Sequence, residues 1–94
     1  MRKRTLCKTN IKRALRKSWD TEGYVDVCDE WQACIYRSHG WCGVAPMTSH
    51  EVILWNWVTE REVRLGIGGC TSMTETIEYA AERLMAHVNE RKAA

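Results

Sequence analysis

Phenylalanine is missing from this chain, and proline occurs once, at Pro46. The large aromatic surface must therefore come from five tryptophans (Trp19, Trp31, Trp41, Trp55 and Trp57) and three tyrosines. Indole and phenol rings each carry a polar tip, so they suit half-wet positions as well as a core. No run approaches the ~18–20 apolar residues of a membrane-spanning helix. Nor does an apolar stretch follow the basic start Arg2-Lys3-Arg4, so a secretory signal is not read there and a cytoplasmic chain without membrane contact is expected. The five cysteines include no C-x2-C pair, and their odd number speaks against a disulfide framework.

Acid is also missing, from the first seventeen residues. That segment holds Arg2, Lys3, Arg4, Lys8, Lys12, Arg13, Arg16 and Lys17, which are eight of the fourteen basic residues. The other six face all twelve acids, so a formal charge of +2 conceals a basic start on an acidic body. Such asymmetry concerns partners more than topology. Ninety-four residues allow one domain, with roughly 60–65% of the unfolded surface buried. The expectation is a single small domain over 1–94, with a basic segment 1–17 and a tail that frays over 89–94.

Hydrophobic spacing gives the element order. Ile11, Ala14, Leu15 and Trp19 recur at helical intervals, predicting a helix from Thr9 or Asn10, either of which can cap it, to Ser18, stopped by Asp20 and Gly23. Tyr24–Cys28 and Trp31–Tyr36 read as a β-hairpin about Asp29-Glu30. Ser38-His39-Gly40 reads as a turn, Trp41–Val44 as a short strand, and Pro46–His50 as a loop. Val52–Val58 is a further strand, followed by a turn at Thr59–Glu62 and a strand at Val63–Ile67. Ser72 stands three residues before Glu75, the capping-box spacing, ahead of an apolar stripe of Ile77, Ala80, Ala81, Leu84, Met85 and Val88. The predicted class is α+β: an N-terminal helix, an antiparallel sheet of four or five strands, and a C-terminal helix packed on one face as a two-layer sandwich.

That architecture gives the tryptophans their interest. On a strand, Trp55 and Trp57 share a face with Ile53, while Val52, Leu54, Asn56 and Val58 take the other. One reading buries this strand on both sides, with the indoles as core. If instead both helices cover one face, large aromatics remain on the second, and Trp55, Trp57, Trp41 and Trp31 become candidate partner-binding residues. The basic residues named above are the candidate nucleic-acid contacts, since several cations on one helix face displace counterions from phosphate. Their other reading is docking on an acidic surface, including the chain's own. Cys28, Cys34, His39 and Cys42 form the one candidate metal set, spaced C-x5-C-x4-H-x2-C. That spacing matches no zinc module, so thiols packed as small hydrophobes are expected and no metal or other cofactor is assigned.

No triad, paired carboxylates or phosphate loop appears, and no enzyme is expected. Double-stranded-RNA-binding domains share the element order, but they open the last helix with lysines where this chain has Ser72-Met73-Thr74-Glu75, so no family is assigned. The reading reached from sequence is a small non-enzymatic protein that binds a protein or nucleoprotein stoichiometrically. An inhibitor of a host defence system, carried by a phage or mobile element, is one form of it. The alternative is a nucleic-acid-binding module built on the basic helix, and a homodimer through the tryptophan face is compatible with either.

Overall fold

The computed structural model describes residues 6–42, 45–68 and 72–93, with side chains described outside 38–42, 45–48 and 91–93. The elements are α1 (Lys8–Thr21), β1 (Val25–Asp26), β2 (Trp31–Cys42), β3 (Ala45–Asn56), β4 (Arg61–Ile67) and α2 (Met73–Ala93). The four strands make one antiparallel sheet in the order β1-β2-β3-β4. Both helices pack against it and against each other, which gives the expected α+β class with four strands.

Alternation along the strands decides which side the helices cover. Ala33 and Ile35 of β2, Val52 and Leu54 of β3, and Ile67 of β4 join Ile11, Ala14 and Leu15 of α1 and Ile77, Ala80, Ala81, Leu84 and Val88 of α2 in one buried cluster. Val63 and Leu65 of β4 pack at its margin. Burial of these apolar groups supplies most of the driving force for the fold.

The helix ends differ in part from the sequence expectation. The cap of α1 is Cys7, extended and without a side-chain bond, rather than Thr9 or Asn10. Asp20 lies inside the helix, and Glu22, not Gly23, takes the left-handed C-cap at φ 57°. At α2 the predicted cap is present: the Ser72 hydroxyl accepts the Glu75 N–H at 3.1 Å. The helix continues past Asn89 as far as Ala93.

The middle of the chain departs further. Ser38-His39-Gly40 is no turn, Trp41-Cys42 opens no separate strand, and Pro46–His50 is no loop, because β2 and β3 pair without interruption from Trp31↔Asn56 to Cys42↔Ala45. Gly43 and Val44 lie outside the described residues. Pro46 fits this ribbon because β4 stops pairing with β3 at His50, so among the described residues no ladder on the outer side of Ala45–Ser49 needs its missing N–H. The β3–β4 turn is Trp57–Glu60, earlier than expected. Buried Asn56 sets it, its side-chain oxygen accepting the N–H groups of Val58 and Thr59, each at 2.9 Å.

The outer edge of β2 is closed by α1 rather than by a strand. Beyond the short β1, the Ile35 N–H donates to the Ser18 hydroxyl at 3.0 Å and the Arg37 N–H to the Glu22 carboxylate at 3.0 Å. Ser18 itself donates to the Gly23 carbonyl at 2.7 Å and is fully buried. Trp19, next in the helix, stacks on His50 of β3 at 4.8 Å, with the Arg37 guanidinium 5.7 Å from its ring. Burial, helped by Arg37, lowers the pKa of His50.

Ser18→Ala is expected to leave the Ile35 N–H without its acceptor and cost about 1–3 kcal/mol. Urea unfolding checks this, and an unchanged midpoint would show that the edge bond contributes nothing.

Candidate binding surface

The face away from the helices is set by the same pairing register. One row across it reads Cys34–Ile53–Arg64, a second Asp26–Gln32–Trp55–Glu62, and a third Tyr36–Glu51–Gly66. Cys34 and Ile53 are almost fully buried although they belong to no part of the helix-side cluster. The carbonyl of Glu22, at the end of α1, accepts a hydrogen bond from the Cys34 thiol at 3.4 Å. Burial pushes that thiol up in pKa, and at 4% exposure it packs as a small apolar group.

Aromatic groups surround this centre. Trp55 and Tyr36 are half-buried, and Tyr24, immediately before β1, is 51% exposed with its hydroxyl in electrostatic reach of Cys34, Glu62 and Arg64. Trp57 stands in the turn past the end of β3, 42% exposed, its backbone N–H donating to the Glu30 carbonyl at 3.2 Å. Val58 follows it at 63% exposure.

A charged network lies over the same rows. Arg64 contacts Glu51 at 2.8 Å and Glu62 at 2.9 Å. Those two carboxylates hold the guanidinium well above its ordinary pKa, while the Tyr36 hydroxyl and Arg64 hold Glu51 below the usual carboxylate range. Gln32 donates to Asp26 at 3.1 Å. Three carboxylates against one guanidinium leave the face acidic around an aromatic and aliphatic centre.

The tryptophans predicted from sequence are thus divided. Trp55 and Trp57 belong to the open side or its margin. Trp31, on the opposite parity, is 9% exposed within the helix-side cluster, so its indole is core and that assignment is corrected. The side chain of Trp41 lies outside those described. Tyr24, Tyr36 and Arg64 were not singled out from sequence. The signal for Arg64 was its alternation with Val63 and Leu65, and for Tyr36 its parity with Cys34.

The basic helix is divided as well. Lys8 and Lys12, one turn apart, both contact Glu78 of α2, at 2.6 and 2.5 Å. Arg13, Arg16 and Lys17 are exposed and have no ion pair among the described residues, while Arg2, Lys3 and Arg4 lie outside them. Of the metal set, Cys28 sits in the helix-side cluster and Cys34 on the other face, which keeps the two thiols apart. The side chains of His39 and Cys42 are outside those described. Among the described residues no three His, Cys, Asp or Glu side chains are grouped to hold a metal ion, and no helix is long and apolar enough to cross a membrane.

No protein-family model, curated protein or solved structure matches the chain.

The Glu78 clamp carries a pH signature. Lys12 and Lys8 hold the carboxyl down to about 2, below its ordinary 4.5. A depressed folded-state value means that the clamp stabilises fully above the unfolded pKa and is lost as pH falls from about 4.5 toward about 2. An NMR titration of the Glu78 side chain is expected to place its midpoint well below 4.5, and Lys12→Ala with Lys8→Ala is expected to return it toward 4.5.

Proposed function

We propose that the chain is a non-enzymatic binding protein that engages another protein, or the protein part of a nucleoprotein, through the open face of its sheet. The observation that carries this reading is the uncovered combination of Tyr24, Tyr36, Trp55 and Trp57 with the acidic Arg64 network. Aromatic rings on a rigid strand lose little entropy on binding and are common among interface hot spots. Asp26, Glu51 and Glu62 favour a partner whose contact surface is basic at its rim and apolar at its centre. Such a surface acts by occupying its target, so stoichiometric inhibition, including that of a host defence nucleoprotein by a chain from a phage or mobile element, is the mode of action we propose.

A second reading rests on α1. Arg13, Arg16 and Lys17 stand clear of intramolecular pairing on the side of the molecule away from the open face. They suit phosphate contact, but the Glu78 clamp withdraws Lys8 and Lys12 from that role, which reduces the electrostatic gain from counterion release.

The two readings respond to different substitutions. Trp57→Ala and Trp55→Ala are each expected to weaken capture of the protein partner from a host lysate by about 2 kcal/mol where the ring is a hot spot. Far-UV circular dichroism should stay unchanged for the exposed Trp57. Combined Arg13→Glu, Arg16→Glu and Lys17→Glu should leave that capture intact. If the triple variant instead abolishes capture, or abolishes salt-dependent binding of duplex DNA, the α1 reading replaces the first.

A further inference from the structure

The two edges of the sheet are treated differently. On the β1–β2 side, the short β1, Ser18 and Glu22 occupy backbone groups as far as Arg37. On the other side, β4 offers seven residues whose outer edge meets no hydrogen-bond partner among the described residues. α2 lies over the helix side of β4 but leaves a cleft of about 260 Å³ lined by Arg61, Glu62, Val63, Arg64, His87 and Glu90. An unpaired edge of this length is a template for another strand unless charge or proline blocks it.

The charges on β4 do not block every partner; they select one. The strand reads Arg61-Glu62-Val63-Arg64-Leu65-Gly66-Ile67. If a second β4 pairs antiparallel with Val63 on the two-fold axis, Glu62 of each copy falls opposite Arg64 of the other, on the open face. The same register sets Val63 against Val63 on the helix side. Parallel pairing in register would instead oppose Glu62 with Glu62 and Arg64 with Arg64, which is repulsive. Antiparallel self-pairing therefore turns the local charge order into two symmetric cross-strand ion pairs.

From this we infer that β4 is a self-association edge, joining two copies of the chain into a continuous eight-stranded antiparallel sheet. The dimer places two open faces side by side in one surface, and Arg64, already paired with Glu51 and Glu62 of its own chain, gains a third carboxylate neighbour from across the axis. With Val63 on the axis the strands overlap over residues 61–65 of each copy, a contact small beside the ~1,200–2,000 Å² of a standard interface, so the association is weak and concentration-dependent.

The test is sedimentation equilibrium of the full chain over a wide concentration range, with circular dichroism confirming the fold of each variant. The wild type is expected to pass from 10.9 kDa at low concentration to twice that mass at high concentration. Glu62→Arg alone puts like charges opposite one another at both symmetric positions, and so does Arg64→Glu alone. Each is expected to weaken dimerisation by about tenfold or more, from two cross-strand pairs turned from attraction to repulsion. An equimolar mixture of the two variant chains restores opposite charges at both positions and is expected to recover a mixed dimer. A wild type that stays monomeric throughout overturns the proposal and leaves the edge to a strand from another protein. Variants that dimerise like the wild type, or a mixture that does not recover, place any dimer contact elsewhere and overturn it as well.

Discussion

Two helices can shield one face of a four-stranded sheet and no more. Everything distinctive about this chain follows from that limit. Because α1 and α2 lie on the same side, alternate residues of every strand are committed to the core and the others are left to find their own cover. On the open side the chain provides that cover locally: Ile53 sits between Cys34 and Arg64, and the turn after α1 closes over the thiol. The aromatic side chains around this centre then meet solvent on part of their surface, while the Tyr36 hydroxyl meets the Glu51 carboxylate and the Tyr24 hydroxyl lies in electrostatic reach of Glu62 and Arg64.

The electrostatic division seen along the sequence becomes a division in space. Acidic groups cluster on the open sheet face, and Arg13, Arg16 and Lys17 stand on the far side of the helical layer. Part of the basic segment is absorbed by the fold, since Lys8 and Lys12 grip Glu78 and bind the first helix to the last. Exposed pairs of this kind contribute little singly. Two lysines on one carboxylate serve chiefly to set how α1 lies on α2.

Legibility in the sequence tracked how local the deciding interaction was. The cap of α2 was readable because Ser72 and Glu75 are neighbours in sequence and meet in the structure. The first hairpin was readable in part for a similar reason, with β-rich runs on either side of Asp29-Glu30, but of the expected arm Tyr24–Cys28 only Val25 and Asp26 pair with β2. The long arm of β2 and β3 was not, because Gly40 and Pro46 carry local turn signals that only the uninterrupted pairing of two twelve-residue strands overrides. The site divides in the same way. Parity alone put Trp55 on the open face. It could not tell that Trp31 would be core, which depends on where the helices land, nor that Glu78 would hold two lysines from the other end of the chain. The closure of the β2 edge by Ser18 and Glu22 was equally hidden, since both look like ordinary residues near a helix end.

The adjacency of α1 and α2 also bears on the order in which the molecule can be completed. Ile11 and Leu15 share their cluster with Ile77, Leu84 and Val88, residues at the opposite end of the sequence. During synthesis from the N-terminus, α1 and all four strands emerge before the second half of their roof exists. Until then the nascent chain carries the apolar faces of β3 and β4 bare, the state in which transient hydrophobic surface invites association. Final compaction is thus tied to emergence of α2, and the last helix works as the closing piece of the domain rather than as an appendage to it.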